Sequence, residues 1–81
     1  MINLTQLEKG YREGCVGSKT PDLIALNGYD SLGIHQLVFD ENETVARPFW
    51  YKGVMVVANM AVPEGKMWIW GEYPTHLVAF G

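Results

Sequence analysis

A single cysteine, Cys15, excludes an internal disulfide and fits a reducing, cytoplasmic setting. The opening stretch MINLTQLEKGYREG has no basic region followed by an apolar run, so it does not read as a signal peptide. The longest apolar run, Val54 to Ala58, is far short of the ~20 residues a membrane helix needs. Basic residues are few and scattered (Lys9, Arg12, Lys19, Arg47, Lys52 and Lys66) and net charge is -3, so the basic stripe of a nucleic-acid binder is missing. Charged residues make up only 19% of the chain, which leaves little polar material to cover the outside and points to a surface that meets a partner.

Chemistry-bearing patterns are equally scarce. Two histidines, His35 and His76, and one cysteine lack the clustered spacing of a zinc site. Asp40-Glu41-Asn42-Glu43-Thr44 lacks the alternating ligands and central glycine of a calcium loop and reads as a solvated loop. Gly28 to Gly33 contains neither GxGxxG nor GxxxxGK[ST]. Glu41 and Glu43 sit where nothing would drive their pKa values apart. Cys15 follows a predicted helix, whose terminal carbonyls disfavour a thiolate. The expectation is therefore a non-enzyme with no catalytic residue, metal or cofactor.

What is present is apolar content, 48% of the residues, arranged as one α+β domain over residues 1–81. Leu4, Leu7 and Tyr11 share a helical face, Thr5 to Glu8 has capping-box form, and Glu8 can pair with Arg12. Gly14 and Gly17 are expected to end this helix. Leu23 to Leu26 suits a strand covered on both faces. Asn27 suits a helix cap, and Leu32, Ile34, Leu37 and Val38 predict a second, weaker helix behind it. Phe49-Trp50-Tyr51 and Val54 to Ala58 flank Lys52-Gly53, the spacing of a two-residue hairpin, which pairs Phe49 with Val56 and Trp50 with Met55. Val62 to Gly65 is a turn, Lys66 to Trp70 a strand, and Leu77 to Phe80 a last short strand. The fold class is two short helices packed on a small mixed β-sheet containing a β-hairpin.

The stretch from Phe49 to Trp70 holds all three tryptophans and three of the four methionines. Two helices can cover one face of a small sheet but hardly both. Trp50, Trp68 and Trp70 are thus either core or contact surface, and aromatic and methionine side chains are enriched at interfaces. With Leu77 and Phe80 on the last strand they form the candidate interface. The expected partner is a second copy, with a symmetric dimer as the commonest closure. The other reading is a cytoplasmic binding module that holds a ligand or peptide on this aromatic surface.

The element order and its motifs resemble the axial domain of tailed-phage major capsid proteins of the Hong-Kong-97-like fold. The resemblance runs from residue 4 to residue 80. It is carried by Thr20-Pro21-Asp22-Leu23-Ile24, by Asn27 with Tyr29-Asp30, and by Phe49-Trp50-Tyr51-Lys52-Gly53-Val54-Met55-Val56-Val57. Val62-Pro63-Glu64-Gly65-Lys66-Met67-Trp68, Tyr73 and Leu77 complete it. It implies a structural protein acting through subunit contacts, with itself or other capsid-like subunits as partners, in the host cytoplasm or the virion. The N-terminal arm, extended loop and peripheral domain of a full coat protein are missing from these residues. A detached capsid domain, a mobile-element remnant and a standalone relative all remain open.

Overall fold

The chain enters its first helix through a buried anchor. A computed structural model describes residues 2–71 in full and 76–79 as backbone. Ile2 is 2% exposed, and its N–H donates to Asp30 Oδ1 (3.2 Å). Asn3 then caps α1 (Leu4–Gly14): its Oδ1 accepts from the Gln6 N–H (2.8 Å), while Gln6 Oε1 accepts from the Asn3 N–H (2.9 Å). The capping box is thus Asn3 with Gln6, rather than Thr5 with Glu8. Asparagine caps at least as well as threonine does, and the buried Ile2 sets the cap two residues earlier. The inward positions are Leu7, Gly10, Tyr11 and Gly14, at helical spacing, whereas Leu4 lies outside at 39% exposed.

Gly14 closes α1 for a reason other than backbone freedom. A Cβ there would stand 2.5 Å from Pro21 Cγ and 2.7 Å from Ile69 Cγ2, so the helix end can approach the sheet only without a side chain. Gly17 does supply a positive φ, +61°, in the tight turn that bridges Val16 and Lys19.

Strand β1 (Leu23–Leu26) leads to α2 (Gly28–Val38), capped by Asn27, whose Oδ1 accepts from the Tyr29 N–H (2.9 Å). The inward side of α2 consists of Asp30, Ser31, Ile34 and His35. Of Leu32, Ile34, Leu37 and Val38, whose apolar side chains predict this helix, only Ile34 is buried. Leu37 is 70% exposed and Val38 47%. Hydrophobicity alone could not orient this helix, because its apolar and polar residues are spread around it rather than gathered on separate sides. The orientation is set instead by Asp30, which accepts from Ile2 N–H and from Gly65 N–H (2.8 Å), and by Asn27, whose Nδ2 donates to Val62 O (2.9 Å). These bonds hold polar groups that would be costly to bury unpaired.

The remaining strands are β2 (Phe49–Tyr51), β3 (Val54–Ala58), β4 (Lys66–Trp70) and β5 (His76–Ala79). The last includes His76, one residue before the expected start at Leu77, and Phe80 lies outside the described residues. The sheet order is β2-β3-β1-β4-β5, with β1 parallel to β3 and antiparallel to β4. The hairpin has the predicted register, Phe49 opposite Val56 and Trp50 opposite Met55. Lys52 (φ +50°) and Gly53 (φ +81°) both lie in the left-handed region, as a type I′ turn requires.

Both helices lie on the same face of this sheet. Ile24, Leu26, Val54, Val56, Met67 and Ile69 point into it, each at most 2% exposed, and pack with Leu7, Ile34 and Ile2. At the β2 edge Phe49 and Tyr51 close the layer, against His35 and Tyr11 respectively. Burying each such Ile, Leu, Val or Met contributes about 1.5–3 kcal/mol, so this single apolar layer carries the fold.

Candidate contact surface

The opposite face of the sheet has no helix on it among the described residues. Alternation along the strands sends the odd-numbered residues of β1 and β3 and the even-numbered ones of β2 and β4 there. Ladder registers then line them up across strands. One row runs Trp50, Met55, Leu23, Trp70; the next runs Val57, Ala25, Trp68, with Leu77 as the ladder partner of Trp68. Trp50 is 65% exposed, and Met55, Leu23, Val57, Trp68 and Trp70 are half-buried. The rings of Trp68 and Trp70 meet edge to face, with centroids 5.7 Å apart and planes at 84°. Among the described side chains, only Lys66, at one end of β4, brings a charge to this face.

None of the three tryptophans belongs to the core cluster. Sequence reasoning had left them between core and contact surface; the side taken by the helices separates them from the core. Leu23 and Val57 were missed as members of the face. Their membership depends on the parallel pairing of β1 with β3, a contact between distant segments with no local signature. Ala25 is buried at 1% although no helix covers it, because the larger residues flanking it in its row shield it. Phe80, the other terminal interface candidate, lies outside the described residues, as does Tyr73.

The polar side chains gather elsewhere, where the hairpin tip meets α1. Glu8 accepts from the Tyr51 hydroxyl, the Lys52 ammonium and Arg12 Nε (3.1 Å). The Lys52 ammonium also lies 5.4 Å from the Tyr11 ring centroid. The Lys52 ammonium, then the Tyr51 hydroxyl, hold the Glu8 carboxyl at about 2. Burial, then the Glu8 anion, pushes the Tyr51 hydroxyl up to about 12. Such a carboxylate stays ionised with its lone pairs engaged, so it is a poor general base near neutral pH. The geometry is that of a clasp fixing the hairpin to α1. A second acidic group, Glu43, is lowered by backbone N–H donors of Val45 and Thr44 and by Arg47 (3.3 Å) in the solvated loop.

The residues weighed for catalysis are placed as follows. Cys15 is half-buried just after α1, and its Sγ–H donates to Tyr11 O (3.3 Å). His35 is 9% exposed and packs against Phe39 and Phe49, with centroids at 4.9 and 6.1 Å. One turn before it, Ser31 is fully buried, and neither Ser31 Oγ nor His35 Nδ1 has a hydrogen-bond partner among the described residues. The side chain of His76, first residue of β5, lies outside the described residues. Among the described residues no group of three or more His, Cys, Asp or Glu side chains is arranged to hold a metal. No helix among them is long and apolar enough to cross a membrane.

Comparison with protein-family models, curated proteins and solved structures finds no match to this chain. The open aromatic sheet face is therefore weighed on its own geometry.

Proposed function

We propose that this chain is a non-catalytic structural protein that works by contact between subunits, through its open sheet face. One observation carries the reading: two helices cover one side of a five-stranded sheet, and the described side chains of the other side form an apolar aromatic surface with a single lysine at its end. Contiguous exposed apolar surface beyond a few hundred Å² marks partner sites on soluble proteins. Taking strand spacing and rise, the face is about 24 Å by 16 Å, or about 400 Å² in plan. The resemblance to the capsid axial domain supports the same reading, since those domains act through subunit contacts. The setting would then be the host cytoplasm or the particle.

The test is molar mass by light scattering across a dilution series. Association that rises with concentration and is lost on Trp68→Gln with Trp70→Gln is the expected result. A chain that stays monomeric at high micromolar concentration overturns the proposal. A small ligand or peptide quenching tryptophan fluorescence of that monomer would favour a binding module instead.

A further inference from the structure

The two helices differ on their solvent sides. Helix α1 is built for water: Thr5, Lys9, Arg12 and Glu13 lie exposed along it. Helix α2 shows no charge to water. From Gly28 to Phe39 its one acidic side chain is Asp30, which is 2% exposed and turned inward to Ile2 and Gly65. Its outward positions are Tyr29 (63% exposed) and Leu37 (70% exposed), with Leu32, Gly33 and Gln36 half-exposed between them. Gln36 already donates its Nε2–H to Glu43 O (2.8 Å). The solvent side of α2 is thus apolar where a surface helix normally carries charge, and such a side is built to be covered.

The molecule thus carries two different unpartnered apolar surfaces, one on the far side of each layer. We propose that the solvent side of α2 in one copy packs on the open sheet face of the next, so that copies of this chain join head to tail. The proposal rests on the reading of the open face as a contact between copies and names the surface that covers it. The dimensions agree. Eleven residues of helix span about 16 Å, and the strands of the face run from about 10 Å for β2 to about 17 Å for β3 and β4. The charges agree as well. Lys66 at the end of the face makes no ion pair among the described residues, and Asp40 and Glu41 stand exposed directly after α2. Sheet on sheet would bring no acid to Lys66, and helix on helix would bring Asp40 and Glu41 no lysine, while Arg47 of their own loop is engaged by Glu43. One such contact uses about 400 Å² in plan per partner, below the roughly 800 Å² of a stable pair. A head-to-tail array gives every interior copy two contacts and covers both surfaces.

The test uses two exposed substitutions, Leu37→Arg on α2 and Trp50→Arg on the open face, with light scattering as readout and circular dichroism confirming the fold. The wild type should grow past a dimer with concentration, and each variant alone should stay monomeric there. An equimolar mixture of the two should form a two-chain species and stop, because one intact α2 meets one intact face. If Leu37→Arg associates like the wild type while Trp50→Arg does not, the head-to-tail contact is wrong and the open-face reading stands. If Trp50→Arg associates like the wild type, or the wild type is monomeric, both fall. A mixture that stays monomeric overturns the head-to-tail contact alone. Tyr29→Arg and Trp50→Glu serve in place of any variant that fails to fold.

Discussion

Asp30→Ala should be among the most damaging single substitutions outside the apolar core. The carboxylate is 2% exposed, and its two oxygens accept from the N–H of Ile2 and the N–H of Gly65. It therefore ties three segments together: the chain before α1, the first turn of α2 and the turn before β4. Hydrogen bonds to a charged group contribute roughly 1.5–3 kcal/mol each, and a buried donor left without an acceptor costs about 1–3 kcal/mol. The Gly65 N–H is half-exposed, so water can replace its acceptor; the Ile2 N–H is buried and has no such recourse. Weighing one full and one partial loss gives about 2–4 kcal/mol. Domains are stable by roughly 0.05–0.15 kcal/mol per residue, or about 4–12 kcal/mol here, so the loss is a large share. Asp30→Asn keeps one acceptor and should lose about half as much. Urea denaturation measures both: the midpoint should fall at unchanged slope. Amide exchange at Ile2 and Gly65 should accelerate in the alanine variant before the sheet amides respond. A midpoint shift equivalent to less than about 0.5 kcal/mol would place Asp30 among ordinary surface substitutions and refute the account of how α2 is oriented.

Three further outcomes are expected. Gly53→Val forces a β-branched residue to φ +81° with open space around it, so strain alone should cost about 1–3 kcal/mol; an unchanged melting temperature contradicts the type I′ turn. Gly14→Ala should destabilise by about 1–3 kcal/mol through overpacking against the rigid Pro21 ring, although alanine is the better helix former; a stabilised variant would show that the helix end can move away. The Glu8–Tyr51–Lys52 clasp gives stability two pH limbs. Glu8 is held at about 2, below its ordinary 4.5, so its contribution is complete above 4.5 and is lost as pH falls through about 2. Tyr51 is raised to about 12 from 10, so its contribution is complete below 10 and is lost as pH rises through about 12. Glu8→Gln with Tyr51→Phe should flatten both limbs in melting temperature against pH, and unchanged limbs would assign them to other groups.

Local chemistry was enough for most of the elements. The 3.6-residue spacing around Leu7 and Tyr11, the cap at Asn27 and the Lys52-Gly53 turn each act within a few residues, so the sequence shows them directly. Alternation along Lys66 to Trp70 likewise separated Met67 and Ile69 from Trp68 and Trp70. Three things depended on contacts between distant segments. The cap moved to Asn3 because Ile2 is held by Asp30, 28 residues away. The inward side of α2 was chosen by Asp30 and Asn27 bonding to Ile2, Gly65 and Val62, since a helix whose apolar residues are spread around it has no preferred side of its own. The candidate surface formed only when β1 paired parallel to β3 and set Leu23 beside Met55 and Trp70. The sequence by itself decided that large apolar side chains would alternate along these strands. Tertiary structure decided which alternate set the two helices would cover, because burying one face left no helix for the other.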